Sequence, residues 1–329
     1  MKFIICIKDW MRAAMIWIQN KTLSEFPVTG RYLVGVSGGR DSAVLLHHLI
    51  GLDYKKLIVC HFNHRLRGQE SATDARFVER LAARYQLDLA TGSASVRALA
   101  ARNKISVETA ARQARYEFFA QAAKRKHCRT IFLGHHADDL VETFLINLFR
   151  GAGLSGLGSI REVSAREITG VRLTVVRPLL NVWRTEIDEY IRAHRLKFRE
   201  DKSNRDLTPL RNRIRRRVIP YLEKTLGRNI RQNIWRTATI AAEEENFFET
   251  LLPQNLGATA LAVEPLRKTA PAVQRRMLRK WLQAANVEEV SFDLIERVRA
   301  LLDLANRVAK TNLPKDRHVR RRAGKLFVQ

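Results

Sequence analysis

Apolar runs alternate with helix-period stretches through the first two-thirds of the chain. The runs Tyr32–Ser37, Leu57–Phe62, Leu87–Gly92, Thr130–Gly134 and Leu173–Val176 predict strands. The stretches 41–50, 70–85, 107–127, 138–149 and 183–194 predict helices between and after them. This βαβα alternation predicts an α/β fold built on a doubly wound parallel sheet. Ligands of such sheets sit beyond the C-terminal strand ends. Ser37, His61, Asn63 and His135 all fall at or just past those ends.

The texture changes near Pro220. Helices are expected over 226–250, 270–285 and 291–309, and a basic run, Lys315 to Lys325, precedes a short apolar end. The expected organisation is a larger domain over 1–221 and a smaller helical domain over 222–329. Residues 10–26 read as a helix leading into the first strand. The apolar run at Met1–Ile7 is interrupted by Lys8 and Asp9 and is too short to span a bilayer, so no membrane association is expected. Met11 and Met15 are alternative starts. No internal repeat stands out.

Charge alters this picture. Among 329 residues, 59 Lys and Arg stand against 33 Asp and Glu, a net charge of +26. That excess says little about fold and much about partners. Arginine dominates, which suits bidentate phosphate contacts, so a nucleic acid is the leading expectation. Cys6, Cys60 and Cys128 are far apart and form no CxxC pair, which argues against a disulfide framework or a zinc ribbon and fits a reducing cytoplasm.

The chemistry concentrates in six stretches. Val34-Gly-Val-Ser-Gly-Gly-Arg-Asp-Ser42 is a strand, a glycine turn and a helix start. Its backbone N–H groups and helix dipole suit a phosphate, with Ser37, Gly38, Gly39, Arg40, Asp41 and Ser42 as candidates. No Lys-Ser/Thr follows at Walker A spacing. Gly134-His-His-Ala-Asp-Asp-Leu-Val-Glu-Thr143 places Asp139 and Glu142 on one helix face, after His135 and His136. Such carboxylates can hold Mg²⁺, bind an amine or take a proton, or merely complement a helix dipole. His61-Phe-Asn-His-Arg-Leu-Arg67 follows the second strand, where an adenine or incoming base could sit. Glu108, Arg112 and Arg115 share a helix face, either salt-bridged in solvent or aimed at a phosphate or carboxylate. Arg150-Gly-Ala-Gly-Leu-Ser-Gly-Leu157 is a close-approach loop or a helix stop. Arg199-Glu-Asp-Lys-Ser-Asn204 leads to Arg211-Asn-Arg-Ile-Arg-Arg-Arg217. That cluster is dense enough for a phosphate backbone, with Arg150, Arg211, Asn212, Arg215, Arg216 and Arg217 as candidate nucleic-acid contacts.

SGGxDS resembles the pyrophosphate loop of ATP pyrophosphatases. The ordered set SGGRDS, NHRLR, ETAARQARY, GHHADDLVET, RGAGLSGL, RPLL and EDKSN…RNRIR resembles the tRNA(Ile)-lysidine synthetase family over about residues 20 to 220. The helical tail, with Leu266-Arg267 and Lys310–Pro314, is similar more weakly, and the chain resembles the short form of the family. The resemblance implies an adenine nucleotide α-hydrolase-like fold and an AMP-forming, ATP-dependent ligase. ATP adenylates the 2-carbonyl oxygen of the wobble cytidine of the CAU-anticodon tRNA(Ile). The ε-amine of free L-lysine then displaces AMP. By resemblance, Ser37, Gly38, Gly39 and Ser42 hold pyrophosphate, with His61 and Asn63 at the nucleotide, and Asp41 carries Mg²⁺. Asp139 and Glu142 belong to the lysine site, Arg112 or Arg115 meets the lysine carboxylate or a phosphate, and His135 meets ATP or the activated cytosine. A homodimer is also implied. The competing readings are a tRNA 2-thiolation enzyme of the same superfamily, a GMP, NAD or asparagine synthetase, and an RNA-binding module with a decayed nucleotide site. The absence of clustered cysteines weighs against the first.

Overall fold

In a computed structural model the chain is described over residues 21–66, 68–158, 160–200, 208–253, 259–305 and 308–329. The expected leading helix before residue 21, Arg67 and Asp201–Asn204 lie outside these residues. Two compact units divide between Ala242 and Glu243, where the sequence places the boundary between 221 and 222.

The first unit carries a six-stranded sheet: β1 (Arg31–Gly35), β2 (Lys56–Asn63), β3 (Asp88–Ser93), β4 (Thr130–Phe132), β5 (Val163–Ile168) and β6 (Val171–Val176). The order is β3-β2-β1-β4-β6-β5, with every pair parallel except β5–β6. Strand alternation explains why both faces are covered. Tyr32, Val34, Leu57 and Val59 point to one core, filled by Leu45 and Leu49 of the helix Arg40–Gly51, Val78 of Gln69–Arg84 and Ile187 of Arg184–His194. Leu33, Ile58 and Cys60 point to the other, filled by Tyr116, Phe118 and Phe119 of the helix Val107–Arg125. Chain order reverses direction across β1, between β2 on one side and β4 on the other. That is the topological switch point where an open sheet leaves a crevice.

The edge strand β5 was not expected. It joins β6 in a hairpin whose tip, Thr169 and Gly170, has φ of 47° and 75°. A two-residue tip with both residues left-handed matches the twist of paired strands. The helix Val96–Asn103 is likewise additional.

The second unit contains the expected helix at Pro271–Ala284, a helix at Phe292–Ala300 that ends well short of the expected 309, and also an unexpected antiparallel sheet. Its strands are β7 (Ala260–Ala262), β8 (Lys310–Asn312), β9 (His318–Arg322) and β10 (Lys325–Val328), in the order β7-β10-β9-β8. The basic tail is thus a hairpin. Val319 and Leu326 are its inward residues, packed with Trp281 and Leu278, while Arg320 and Arg322 alternate outward. Trp281 is fully buried. Among the described residues no helix is long and apolar enough to cross a membrane.

Candidate active site

The ends of β1, β2 and β4 set the site. Beyond them lies a cavity of about 440 Å³ lined by Ser37, Gly39, Asp41 and Ser42, by His61 and Asn63, and by Arg115 and His135. The loop is knitted by its own hydroxyls. Ser42 Oγ accepts from the Ser37 N–H at 3.2 Å and donates to the Gly39 carbonyl at 3.0 Å, and Ser37 Oγ accepts from the Gly39 N–H at 3.2 Å. Gly38 has φ of 88°, a conformation that side chains beyond glycine rarely adopt. The helix Arg40–Gly51 then starts at the cavity with no side-chain cap, and the first N–H groups of a helix lack intrahelical acceptors. An anion there meets donors and a favourable dipole.

Close packing holds this helix start. A Cβ on Gly134 would lie 3.0 Å from the Asp41 carbonyl oxygen and 3.2 Å from the Ser42 nitrogen. Glycine at 134 therefore lets the β4 end approach the loop. His61 Nδ1 lies 2.9 Å from the Val36 carbonyl oxygen, which turns Nε2 into the cavity without a protein partner.

Beside the cavity stands a carboxylate cluster. The helix Ala137–Phe149 opens after His136, which is 1% exposed. His136 Nε2 lies 3.8 Å from Asp41 Oδ2 and 3.6 Å from Asp139 Oδ2, so one imidazole bridges the glycine loop and the acidic helix. The His136 N–H donates to Asp139 Oδ2 at 3.2 Å. Burial works to raise the Asp139 carboxyl, but His136, His135, Arg211 and that N–H outweigh it and hold it well below the usual carboxylate range. Burial pushes the Asp41 carboxyl up, with His136 pulling against it. His135 is held down by burial and stays a neutral imidazole at pH 7.

Glu142 is 1% exposed and sits one turn further along the helix. Arg215 grips it with two bonds, Nε to Oε1 at 2.5 Å and Nη2 to Oε2 at 3.0 Å. Arg215 Nη2 also lies 3.6 Å from Asp139 Oδ1, and Arg211 Nε lies 3.5 Å from Glu142 Oε2. Burial raises the Glu142 carboxyl and the Arg215 guanidinium partly offsets it. Arg215 comes from a π-helical turn, Ile214–Val218, between the helices Leu210–Arg213 and Ile219–Leu226.

The remaining candidates scatter. Arg40 does not line the cavity; it pairs with Asp188 at 2.5 Å and lies over the Phe198 ring at 5.1 Å. Arg112 is exposed, with its guanidinium 5.2 Å from the Tyr116 ring centre, whereas Arg115 reaches the cavity wall with its Nε unpartnered. Arg150, Arg216 and Arg217 are exposed, and Asn212 is half-buried. Sequence reasoning passed over two connecting residues. His136 is one. The other is Asp138, 7% exposed, which accepts from the Arg184 N–H at 3.0 Å and pairs with Arg231 at 2.8 Å. The doubled His-His and Asp-Asp were visible, but spacing alone does not say which of each pair turns inward.

Residues 15–222 match a PP-loop domain and residues 261–327 match a TilS substrate binding domain. A tRNA(Ile)-lysidine synthase of Geobacter sulfurreducens is 38% identical, the match covering 87% of this chain and 62% of that protein. The corresponding protein of Solibacter usitatus is 35% identical over 88% of this chain and 65% of its own. The chain thus spans less than two-thirds of the length of these relatives. A tRNA(Ile)-lysidine synthase of Thermosynechococcus vestitus is 31% identical, the match covering 91% of this chain and 86% of that protein. Among solved structures, the U34-tRNA thiolase NcsA of Methanococcus maripaludis superposes with a TM-score of 0.52 at 16% identity, over 70% of this chain and 79% of that one, a likeness of fold.

Proposed function

From the premise that the chain belongs to the tRNA(Ile)-lysidine synthase family, we propose that it joins free L-lysine to the 2-position of the wobble cytidine of the CAU-anticodon tRNA(Ile), consuming ATP. The observation that carries this reading is the juxtaposition at one sheet edge of a phosphate-type loop and a buried carboxylate pair, bridged by His136.

The reaction needs two things. Cytosine's carbonyl oxygen is a poor leaving group, so it must first be adenylated. The amine of lysine, with a solution pKa of about 10.4, must lose a proton before it attacks. The loop serves the first step. The uncapped helix start after Gly39 offers its first N–H groups to the phosphates, the hydroxyls of Ser37 and Ser42 hold that turn in shape, and His61 and Asn63 line the same space from β2. The acidic helix serves the second. Asp139 stays ionised and binds the ammonium group. Glu142, whose carboxyl burial raises, is the better proton acceptor of the two.

A Mg²⁺ ion fits this donor set. Asp41 Oδ1 is buried at the cavity with no hydrogen-bond partner, and no cage of three or more His, Cys, Asp or Glu side chains exists among the described residues. One protein carboxylate with substrate phosphates and water is the usual magnesium arrangement. When bound, the ion supplies charge neutralisation on the departing pyrophosphate. Thiolation is disfavoured by the cysteines described. Burial pushes the Cys60 thiol up to about 12, and Cys128 donates to the Arg31 carbonyl.

The test is lysine transfer. Purified protein, ATP, Mg²⁺ and radiolabelled lysine are mixed with an isoleucine tRNA transcript bearing CAU, with the methionine tRNA as control. Label on the isoleucine tRNA alone, dependent on ATP, is expected. The Asp139→Asn and Glu142→Gln variants should still release AMP and fail in transfer. AMP release without label from the parent protein would point to another nucleophile and overturn the reading.

A further inference from the structure

A second cavity, of about 410 Å³, opens beside the helix Arg40–Gly51 on the face that carries Ala43 and His47. Its floor is apolar and aromatic, made by Ala43, Phe77, Leu81, Tyr85 and Leu196. Its lip is cationic. Arg80 and Arg84 stand one turn apart on the helix Gln69–Arg84, and Arg195 and Lys197 stand on the segment after the helix Arg184–His194. All four are exposed, no carboxylate lines the cavity, and none of the four has an ion pair among the described residues, although the Arg84 guanidinium lies 5.7 Å from the Tyr85 ring centre. Two histidines complete the wall. The His47 and His194 rings meet at a tilt of 54° with centres 4.9 Å apart, and the His194 ring centre lies 4.2 Å from that of Tyr190. Burial holds both imidazoles below their ordinary value, so at pH 7 they are neutral rings. The Arg195–Arg199 segment continues to the glycine loop, where the Arg199 N–H donates to the Gly38 carbonyl at 2.9 Å.

Neither half of this cavity is explained by a simple ligand. A bare phosphate gains nothing from the apolar floor, and a hydrocarbon has no use for four cations that lack a carboxylate partner. A nucleotide uses both. Single-stranded RNA is held by aromatic and guanidinium faces under its bases and by Lys and Arg along its backbone. Two cation pairs, from two separate elements, suit the phosphates on either side of one inserted base.

We propose that this cavity seats one unstacked nucleotide of a single-stranded RNA segment. The base lies against Phe77, Leu81, Tyr85 and Leu196, and the flanking phosphates lie on Arg80 with Arg84 and on Arg195 with Lys197. The site is separate from the glycine-loop cavity and stands independently of the ligase reading, since it concerns binding alone.

The test is photo-cross-linking of the full chain to a five-nucleotide RNA carrying a central 4-thiouridine, with the attached peptide mapped by mass spectrometry and affinity read by fluorescence anisotropy. Cross-links within Phe77–Tyr85 or His194–Lys197 are expected. Arg80→Ser with Lys197→Ser should weaken binding about tenfold and remove the cross-link, since phosphate contacts dominate such affinity. Because these side chains are exposed, the melting temperature should hold. Arg97→Ser with Arg102→Ser, exposed on the helix Val96–Asn103, is the control for general surface charge. An equal loss in that control, or cross-links elsewhere with an unaffected lip variant, would overturn the proposal. Displacement of the RNA by AMP at comparable concentration would overturn the RNA assignment in favour of a mononucleotide, and displacement by inorganic phosphate would reduce the cavity to an anion site.

Discussion

Arg215→Ala tests the electrostatics at the centre of the site. The variant removes both bonds to Glu142 and the 3.6 Å approach to Asp139 while leaving a carboxylate that is 1% exposed. Stripping one partner from a buried ion pair costs about 3–5 kcal/mol, because the remaining charge is left uncompensated. Two features here reduce that. The Arg215 side chain is 22% exposed, and Arg211 stays 3.5 Å from the same carboxylate. The expected cost is therefore about 2–3 kcal/mol, just below that range. For a unit of this size each kcal/mol moves the midpoint by about 2–4 °C, so melting should fall by about 4–12 °C. Calorimetry or circular dichroism reads the shift. Adding Glu142→Gln should restore part of the loss, since the neutral amide needs no cation. An Arg215→Ala protein that melts within about a degree of the parent, or a double variant no more stable than the single, would refute the reasoning.

Other consequences can be checked in parallel. Gly134→Ala forces a Cβ against the Asp41 backbone, costing about 1–3 kcal/mol by overpacking, and should raise KM for ATP by displacing the helix start. The His48 imidazole is lowered to about 4, by burial first and then by His47 and His194. Below pH 6.5 the unfolded chain therefore takes up a proton that the folded one refuses. Stability should fall as pH drops from about 6.5 to 4, by about 3 kcal/mol in total, and His48→Gln should flatten that slope in denaturant titrations. Arg216→Ala with Arg217→Ala should weaken tRNA binding and lower its log-salt slope by about 1.5, whereas Arg215→Ala, whose charge is already paired inside, should leave the slope alone.

The central parallel strands were legible because their covered stretches, Tyr32–Val34 and Leu57–Cys60, are continuously apolar, and the glycine loop because it breaks such a run abruptly. Strand β5 was not. Arg166 and Glu167 interrupt its apolar character at an edge exposed on one side, although Thr169-Gly170 was a usable turn signal. The tail hairpin was hidden by its arginines: alternation of Val319 and Leu326 with basic residues reads as a charge run until the partner strand is known. In the site, residue types and positions were readable, but partners were not. The segment 211–217 reads as a uniform basic surface, and only the fold shows that Arg215 turns inward to a glutamate 73 residues earlier. Likewise Arg112 and Arg115 are equivalent on paper. The helix rotation decides which of them meets the cavity.

The π-helical turn at Ile214–Val218 carries one residue more than an α-helix needs to close its ring of hydrogen bonds. Ile214 and Ile219 are both buried across it, five positions apart, a spacing that a regular helix would place on diverging faces. The surplus residue thus sets the phase between the guanidinium on Glu142 and everything downstream. A single-codon deletion within Arg215–Arg217 would leave two of the three arginines and a stretch still basic and still helical. It would also bring Ile214 and Ile219 to four positions apart, only about 40° round a regular α-helix, so both could stay buried while the bulge closed and the turn that aims Arg215 at Glu142 was lost. Composition would register little change, while the one turn that points a cation at the buried glutamate would be gone.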